Sequence, residues 1–129
     1  MAAVLDVLVV HGCRFVVVGS AARQLLGELV VPADLDVVVA IEPTDRARLV
    51  DALIELGGRV SCGARCRRID RSTSLPWEWG WRVITPFGEI DVIVRFIDDT
   101  MFVDHDQAGI DVAVLSGPVV RCHVTRWAA

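Results

Sequence analysis

The chain has 129 residues, which is enough for one domain with a hydrophobic core and too few for a second substantial domain. Hydrophobic residues make up 53% of it and the mean hydropathy is +0.50, which excludes a disordered chain. The formal net charge of −4 argues against binding nucleic acid through bulk charge, although all 13 basic residues are arginine and local clusters occur. We therefore expect a single domain over residues 1–129.

No apolar stretch approaches the roughly 20 residues that a membrane-spanning helix needs. The longest stretches, Phe15–Val18 and residues 37–41, are the size of strands. Residues 1–12 are apolar but have neither a basic leader nor a small-residue cleavage site, which argues against a signal peptide. We therefore expect a cytoplasmic protein with no membrane partner and with free thiols at its four cysteines.

The first third of the chain predicts helices that alternate with strands. Apolar residues within 4–9 have helical spacing, and Gly12 ends that segment. Phe15–Val18 is typical of a strand buried on both faces, because it is a continuous run of aromatic and β-branched residues. A Gly-Ser turn then leads into good helix formers over residues 21–29.

A second buried strand is predicted over residues 35–41, with Asp34 and Asp36 at its entrance. Pro43 and Thr44 open a predicted helix that continues to about residue 56, where two glycines end it. The following stretch, residues 59–71, is rich in arginine, and we expect it to be irregular.

The rest of the chain predicts two strand pairs. Residues 81–85 and 89–96 flank Pro-Phe-Gly, a good hairpin signal, and residues 111–115 and 119–124 flank Ser-Gly-Pro. Residues 98–106 between the pairs predict an acidic loop with room for a short helix. This order of elements predicts an α+β or α/β domain with a mixed β-sheet flanked by helices.

Three aspartates lie on strands where unpaired carboxylates would be unfavourable. Asp34 and Asp36 alternate with Leu35, so both carboxylates point to one face of the sheet. Asp91 lies inside a second apolar strand. If the two strands are neighbours, three carboxylates converge and form a site for a hard cation such as Mg²⁺ or Mn²⁺.

Gly19 and Ser20 supply a second feature, a turn that leads into a helix. Backbone N–H groups at the start of a helix, together with a hydroxyl, are suited to phosphate. An anion site beside a metal site indicates a nucleoside triphosphate.

These residues together resemble the nucleotidyltransferase fold of the DNA polymerase β superfamily. The pattern is Gly19-Ser20, then Asp34-x-Asp36, then a separate strand aspartate, Asp91. The 14-residue step from Ser20 to Asp34, with two alanines after the turn, is similar to the abortive-infection toxin-like nucleotidyltransferases, the AbiEii group of type IV toxin–antitoxin systems. The resemblance covers residues 12–96 firmly and 97–124 loosely.

The resemblance implies transfer of a nucleoside monophosphate from a triphosphate such as ATP to a hydroxyl on RNA, protein or a small molecule. It implies that Mg²⁺ or Mn²⁺ is held by Asp34 and Asp36, and that Asp91 completes the site and helps to activate the acceptor hydroxyl. The residues assigned to the nucleotide are Gly19, Ser20 and Arg23. The alternative is a catalytically weak binding module of the same fold that acts as a toxin or antitoxin partner.

Other clusters have ordinary explanations beside functional ones. The arginines of residues 59–71 either bind the phosphates of a nucleotide or an RNA acceptor, or are solvated side chains on a loop. Trp77, Trp79 and Trp81 alternate, which favours core or interface packing over an aromatic platform for a base. A zinc site from Cys62, Cys66, Cys122 and His123 is disfavoured by the adjacent Cys-His pair.

The apolar content also predicts a partner. A domain this small cannot bury all of its apolar surface, so we expect a homodimer or a dedicated protein partner. The expected contact surfaces are residues 77–81 or the predicted strands of residues 111–124.

Overall fold

The protein is described here from a computed structural model, in which residues 1–32, 34–62 and 64–124 are placed. These residues form four helices and eight strands. The helices are α1 (Ala2–Val10), α2 (Gly19–Leu25), α3 (Pro43–Glu55) and α4 (Phe102–Ala108). The strands are β1 (Phe15–Val18), β2 (Leu35–Val39), β3 (Arg59–Cys62), β4 (Arg65–Arg68), β5 (Gly80–Thr85), β6 (Gly88–Ile93), β7 (Ile110–Ala113) and β8 (Val119–Cys122).

All eight strands form one mixed sheet in the order β4-β3-β5-β6-β2-β1-β8-β7. The pairs β2–β6 and β1–β8 are parallel, and the others are antiparallel. This confirms an α+β domain with a mixed sheet and helices. None of the placed helices is long and apolar enough to cross a membrane.

The two faces of the sheet are covered differently. Val17, Val37 and Val92 are neighbours across β1, β2 and β6, and they belong to the main core with α1 and α3. The opposite face carries a smaller apolar cluster of Val16, Val18 and Val38, against which Phe96 and Phe102 pack. We call this second face the site face, because Asp36 and Asp91 lie on it.

Several boundaries differ from those predicted. The second helix ends at Leu25 rather than near residue 29, and Gly27 beyond it has a φ of +98° that no helix accommodates. The expectation of irregular structure over residues 59–71 is wrong for most of that stretch, because Arg59–Cys62 and Arg65–Arg68 form a hairpin that pairs with β5. Long-range pairing with β5 is not visible in the local sequence pattern. The predicted acidic loop ends in α4.

Candidate active site

The parallel pairing of β2 with β6 places two of the predicted carboxylates side by side. Asp36 and Asp91 are partners in the strand register, and Leu35 and Ile90 precede them on the core face. Asp34 lies just before β2, two residues from Asp36 and therefore on the same side. The structure thus brings all three predicted carboxylates to one place.

Sequence reasoning missed the cation that joins these carboxylates, Arg82 of β5. Its Nε donates to Oδ1 of Asp91 at 2.8 Å and its Nη2 donates to Oδ2 of Asp91 at 3.2 Å. Nη2 also reaches Oδ2 of Asp34 at 3.4 Å, and Nη1 lies 3.2 Å from Oε2 of Glu89. The surrounding carboxylates, that of Asp91 first, raise the pKa of Arg82 further above its usual value. The guanidinium therefore stays charged and neutralises part of the cluster.

A sequence signal for Arg82 did exist in the predicted hairpin. Thr85 pairs with Gly88 across a turn of two residues, and this register sets Arg82 opposite Asp91. The residue opposite an in-strand aspartate would therefore have been found once the turn length was assigned.

Asp36 is the most perturbed acid of the group. Burial, the hydrogen bond and charge of Asp91, and the charge of Asp34 raise its pKa to about 7, and Arg82 opposes this only in part. The Asp36 carboxyl therefore holds its proton close to neutral pH unless further positive charge reaches it. Strongly perturbed carboxyls in a cleft are typical of functional sites.

Gly19 brings the backbone at the start of α2 against Asp36. Its φ is +71°, and a Cβ at this position would overlap Oδ2 of Asp36. Ser20 follows and is half-buried. Arg23 lies one turn into α2, where its Nε is ion-paired with Glu28, so a nucleotide phosphate would compete with that carboxylate.

A cavity of about 510 Å³ opens beside these groups. Its polar end consists of Gly19, Asp36 and Asp91, and its apolar part includes Trp81, Ile93, Phe96 and Ile97. The Trp81 side chain is buried, and its indole Nε1 has no acceptor among the residues that the structure describes. Its register partner is Val92 of the main core, so the Trp81 side chain faces the core and not the site face.

The donor chemistry of the cluster suits a hard cation, because all three side chains offer carboxylate oxygens. In the described residues, however, no three His, Cys, Asp or Glu side chains are arranged as a metal-coordinating group. Arg82 is hydrogen-bonded to both Asp34 and Asp91. The residues fit a metal ion by type, and an ion bound by these two carboxylates would compete with the guanidinium.

The tryptophans and the cysteines singled out in the sequence lie in different parts of the fold. Trp77 packs edge-on against the buried Trp81, with ring centroids 4.8 Å apart, which agrees with core packing. Trp79 is 53% exposed and lies beside Arg95. Cys66 and Cys122 lie on strands that five others separate, so they cannot share a zinc ion, and the side chain of Cys62 lies outside the described part of the chain. The thiols of Cys13, Cys66 and Cys122 are free.

Comparison with known proteins adds no family to this geometry. No protein-family model matches the chain, and no curated protein matches it. The functional interpretation therefore depends on the residues of the site.

Proposed function

We propose that the chain is a metal-dependent nucleotidyltransferase with the nucleotidyltransferase fold, which transfers a nucleoside monophosphate from a triphosphate to a hydroxyl group. The observation that supports this most is the side-by-side placement of Asp36 and Asp91 on parallel strands, with Asp36 directly against the backbone of Gly19. A carboxylate pair and a glycine turn that meet in one cavity are suited to a triphosphate with its divalent cations.

In the proposed reaction, Asp34, Asp36 and Asp91 would hold Mg²⁺ or Mn²⁺, which when bound would lower the pKa of the acceptor hydroxyl and neutralise phosphate charge. The acceptor oxygen forms a bond to the α-phosphorus, the bond to the bridging oxygen breaks, and pyrophosphate leaves. Asp91 accepts the hydroxyl proton. The amides after Gly19 bind the phosphates, and the apolar wall at Phe96 contacts the base.

The test is release of pyrophosphate from each nucleoside triphosphate in the presence of Mg²⁺ or Mn²⁺. We expect wild-type turnover with at least one triphosphate, and a loss of roughly a thousandfold in Asp36→Asn, the order of effect seen when a charge-stabilising group is removed. Glu89→Gln is the matched control, because Glu89 is another carboxylate at the Arg82 guanidinium that we do not assign to the metals. Equal rates in wild type and Asp36→Asn would contradict the proposal.

The second candidate function is a binding module that acts as a toxin or antitoxin partner. The observation that favours it is Arg82, whose guanidinium already neutralises the cluster without a metal ion. Under this alternative Arg82 is a permanent structural cation, and no triphosphate is turned over.

Replacing Arg82 separates the two candidates. If a metal ion must displace the guanidinium, Arg82→Gln binds Mn²⁺ more tightly than wild type, by roughly tenfold for one competing ionic hydrogen bond of about 1.5 kcal/mol. Titration calorimetry with Mn²⁺ measures this change. Arg95→Gln, which removes an arginine outside the cluster, should leave the affinity unchanged. No Mn²⁺ binding in either wild type or Arg82→Gln would favour the binding module.

A further inference from the structure

The hairpin of β3 and β4 forms a basic edge to the sheet. Every residue of β4 is exposed, and three of the four are arginine. Arg59 of β3 is exposed as well. None of these four arginine side chains has a hydrogen bond or ion pair to the residues that the structure places, whereas the Arg71 side chain nearby is paired with Asp51.

These arginine side chains are unpaired although acidic residues outnumber basic ones in the chain, whose net charge is −4. Like charges on neighbouring strands repel one another, and here Arg59 is directly opposite Arg68. Arg59, Arg65, Arg67 and Arg68 therefore have no internal role in neutralising acids. An external polyanion would relieve their mutual repulsion.

The register divides these arginines between the two faces. Arg59 pairs with Arg68 in the hairpin and with Ile84 on β5, and Ile84 lies on the same face as Arg82 and Asp91. Arg59 and Arg68 therefore belong to the site face. Arg65 and Arg67 belong to the other face, because Arg67 pairs with the buried core residue Val60.

The distance from the basic edge to the acids is short. β4 and β6 are three positions apart in the sheet, which at about 4.8 Å per strand is roughly 14 Å. Arg82, half-exposed on β5, lies between the two. A ligand of more than one phosphate can therefore contact the edge and the cavity together.

We propose that Arg59 and Arg68, with the adjoining site face of β3 and β5, bind the phosphate backbone of a single-stranded nucleic acid whose end is presented to Asp36 and Asp91. The role of this nucleic acid as the acceptor rests on the proposed nucleotidyl transfer. The binding of the nucleic acid to Arg59 and Arg68 does not. A single strand is favoured over a duplex because the cavity, at about 510 Å³, has space for nucleotide-sized ligands only. A membrane surface is disfavoured because β4 carries no exposed large apolar side chain to insert beside its arginines.

The experiment measures binding of a labelled 12-nucleotide single-stranded RNA, and of the DNA of the same sequence, to the full chain by fluorescence anisotropy. Arg59→Gln/Arg68→Gln is compared with Arg65→Gln/Arg67→Gln, which removes the same charge from the same hairpin on the other face. Thermal melting verifies that both double variants are folded.

We expect Arg59→Gln/Arg68→Gln to bind roughly tenfold more weakly at about 0.15 M salt and to lower the salt slope by about 1.4, from the loss of two phosphate contacts. Arg65→Gln/Arg67→Gln should lose several-fold less affinity. Binding of either the RNA or the DNA in this pattern supports a backbone site. Equal losses in the two double variants, equal affinity for a duplex, or binding to vesicles containing anionic phospholipid but to neither oligonucleotide would overturn the proposal.

Failure of this proposal can be told apart from failure of the proposed function. Asp36→Asn should retain oligonucleotide binding while it loses pyrophosphate release. Arg59→Gln/Arg68→Gln should retain pyrophosphate release with water or a small alcohol as acceptor. If wild type releases pyrophosphate but binds neither strand, the acceptor surface is refuted and the enzyme remains.

Discussion

The carboxyl of Asp36 makes the stability of the metal-free protein depend on pH. Its pKa is raised from 3.8 to about 7, chiefly by burial and by Asp91. Between those two values the folded chain holds a proton that the unfolded chain releases, so this residue's contribution to the free energy of unfolding falls as pH rises and is lost above about 7.

Asp36→Asn removes this titration. We expect the variant to gain stability relative to wild type as pH rises, with a larger increase in melting temperature at pH 8 than at pH 5. Thermal melting in the presence of a chelator measures the difference. A difference between variant and wild type that does not change with pH would contradict the shifted pKa.

Gly19 allows a second prediction about a single residue. Gly19→Ala forces a Cβ into the left-handed region, which costs about 1–2 kcal/mol, and it also displaces Asp36. Gly27→Ala is the control, because Gly27 also has a positive φ but an added Cβ there would meet no atom within 4 Å. Urea denaturation should show a clearly larger loss for Gly19→Ala. Equal losses would mean that the close approach to Asp36 does not affect stability.

At the scale of elements, a histidine pair joins α4 to the segment that follows β8. Nδ1 of His105 lies 3.0 Å from Nδ1 of His123, and Nε2 of His105 lies 2.8 Å from the Thr100 hydroxyl. Two imidazoles that share this contact cannot both be protonated without losing it. Burial and His123 lower the pKa of His105, against the weaker effect of Asp98 and Asp104.

Because the pKa of His105 is lowered on folding, the unfolded chain binds the extra proton first as pH falls through 6.5. We expect the free energy of unfolding to decrease below that pH and the decrease to be weaker in His105→Gln. Urea denaturation at pH 7.5 and pH 5.5 compares the two chains. A His105→Gln chain that loses as much stability as wild type would refute this prediction.

Elements with strong local signals were predictable, and those that depend on distant partners were not. β1, β2 and α3 have continuous apolar runs or helical periodicity, which the local sequence displays. The hairpin of β3 and β4 was missed because Val60, the one core residue among the side chains described in it, pairs with β5 more than 20 residues away. In the site, residue type and strand alternation predicted the placement of Asp34, Asp36 and Asp91. The turn that leads into a helix predicted Gly19. Arg82 belongs to the same site through register alone.

At the scale of the whole molecule, the two edges of the sheet differ in chemistry. The β4 edge carries arginines, which discourage pairing between copies of the chain. The other end of the sheet exposes apolar side chains at Ile110, Val119 and Leu115, the last 92% exposed. This second edge is where we expect a homodimer or a protein partner to bind.

Sedimentation at tens of micromolar tests this expectation. Ile110→Arg should shift a dimer toward monomer, because a charge would be buried in the apolar contact. Leu29→Arg is the control, since Leu29 is fully exposed and belongs to the segment between α2 and β2. A wild-type chain that sediments as a monomer, alone and in a cell extract, would contradict the expectation.

The two-residue turn between β5 and β6 makes the charge balance of the site depend on loop length. If one residue were inserted after Phe87 and a two-residue turn were kept, the strands would slip by one place. Asp91 would then be opposite Val83 or Trp81, and Arg82 would turn toward the core. A homologue with a longer turn could thus keep every residue of the site and still lose its internal counterion, so insertions at this turn are as informative about function as substitutions of the acids.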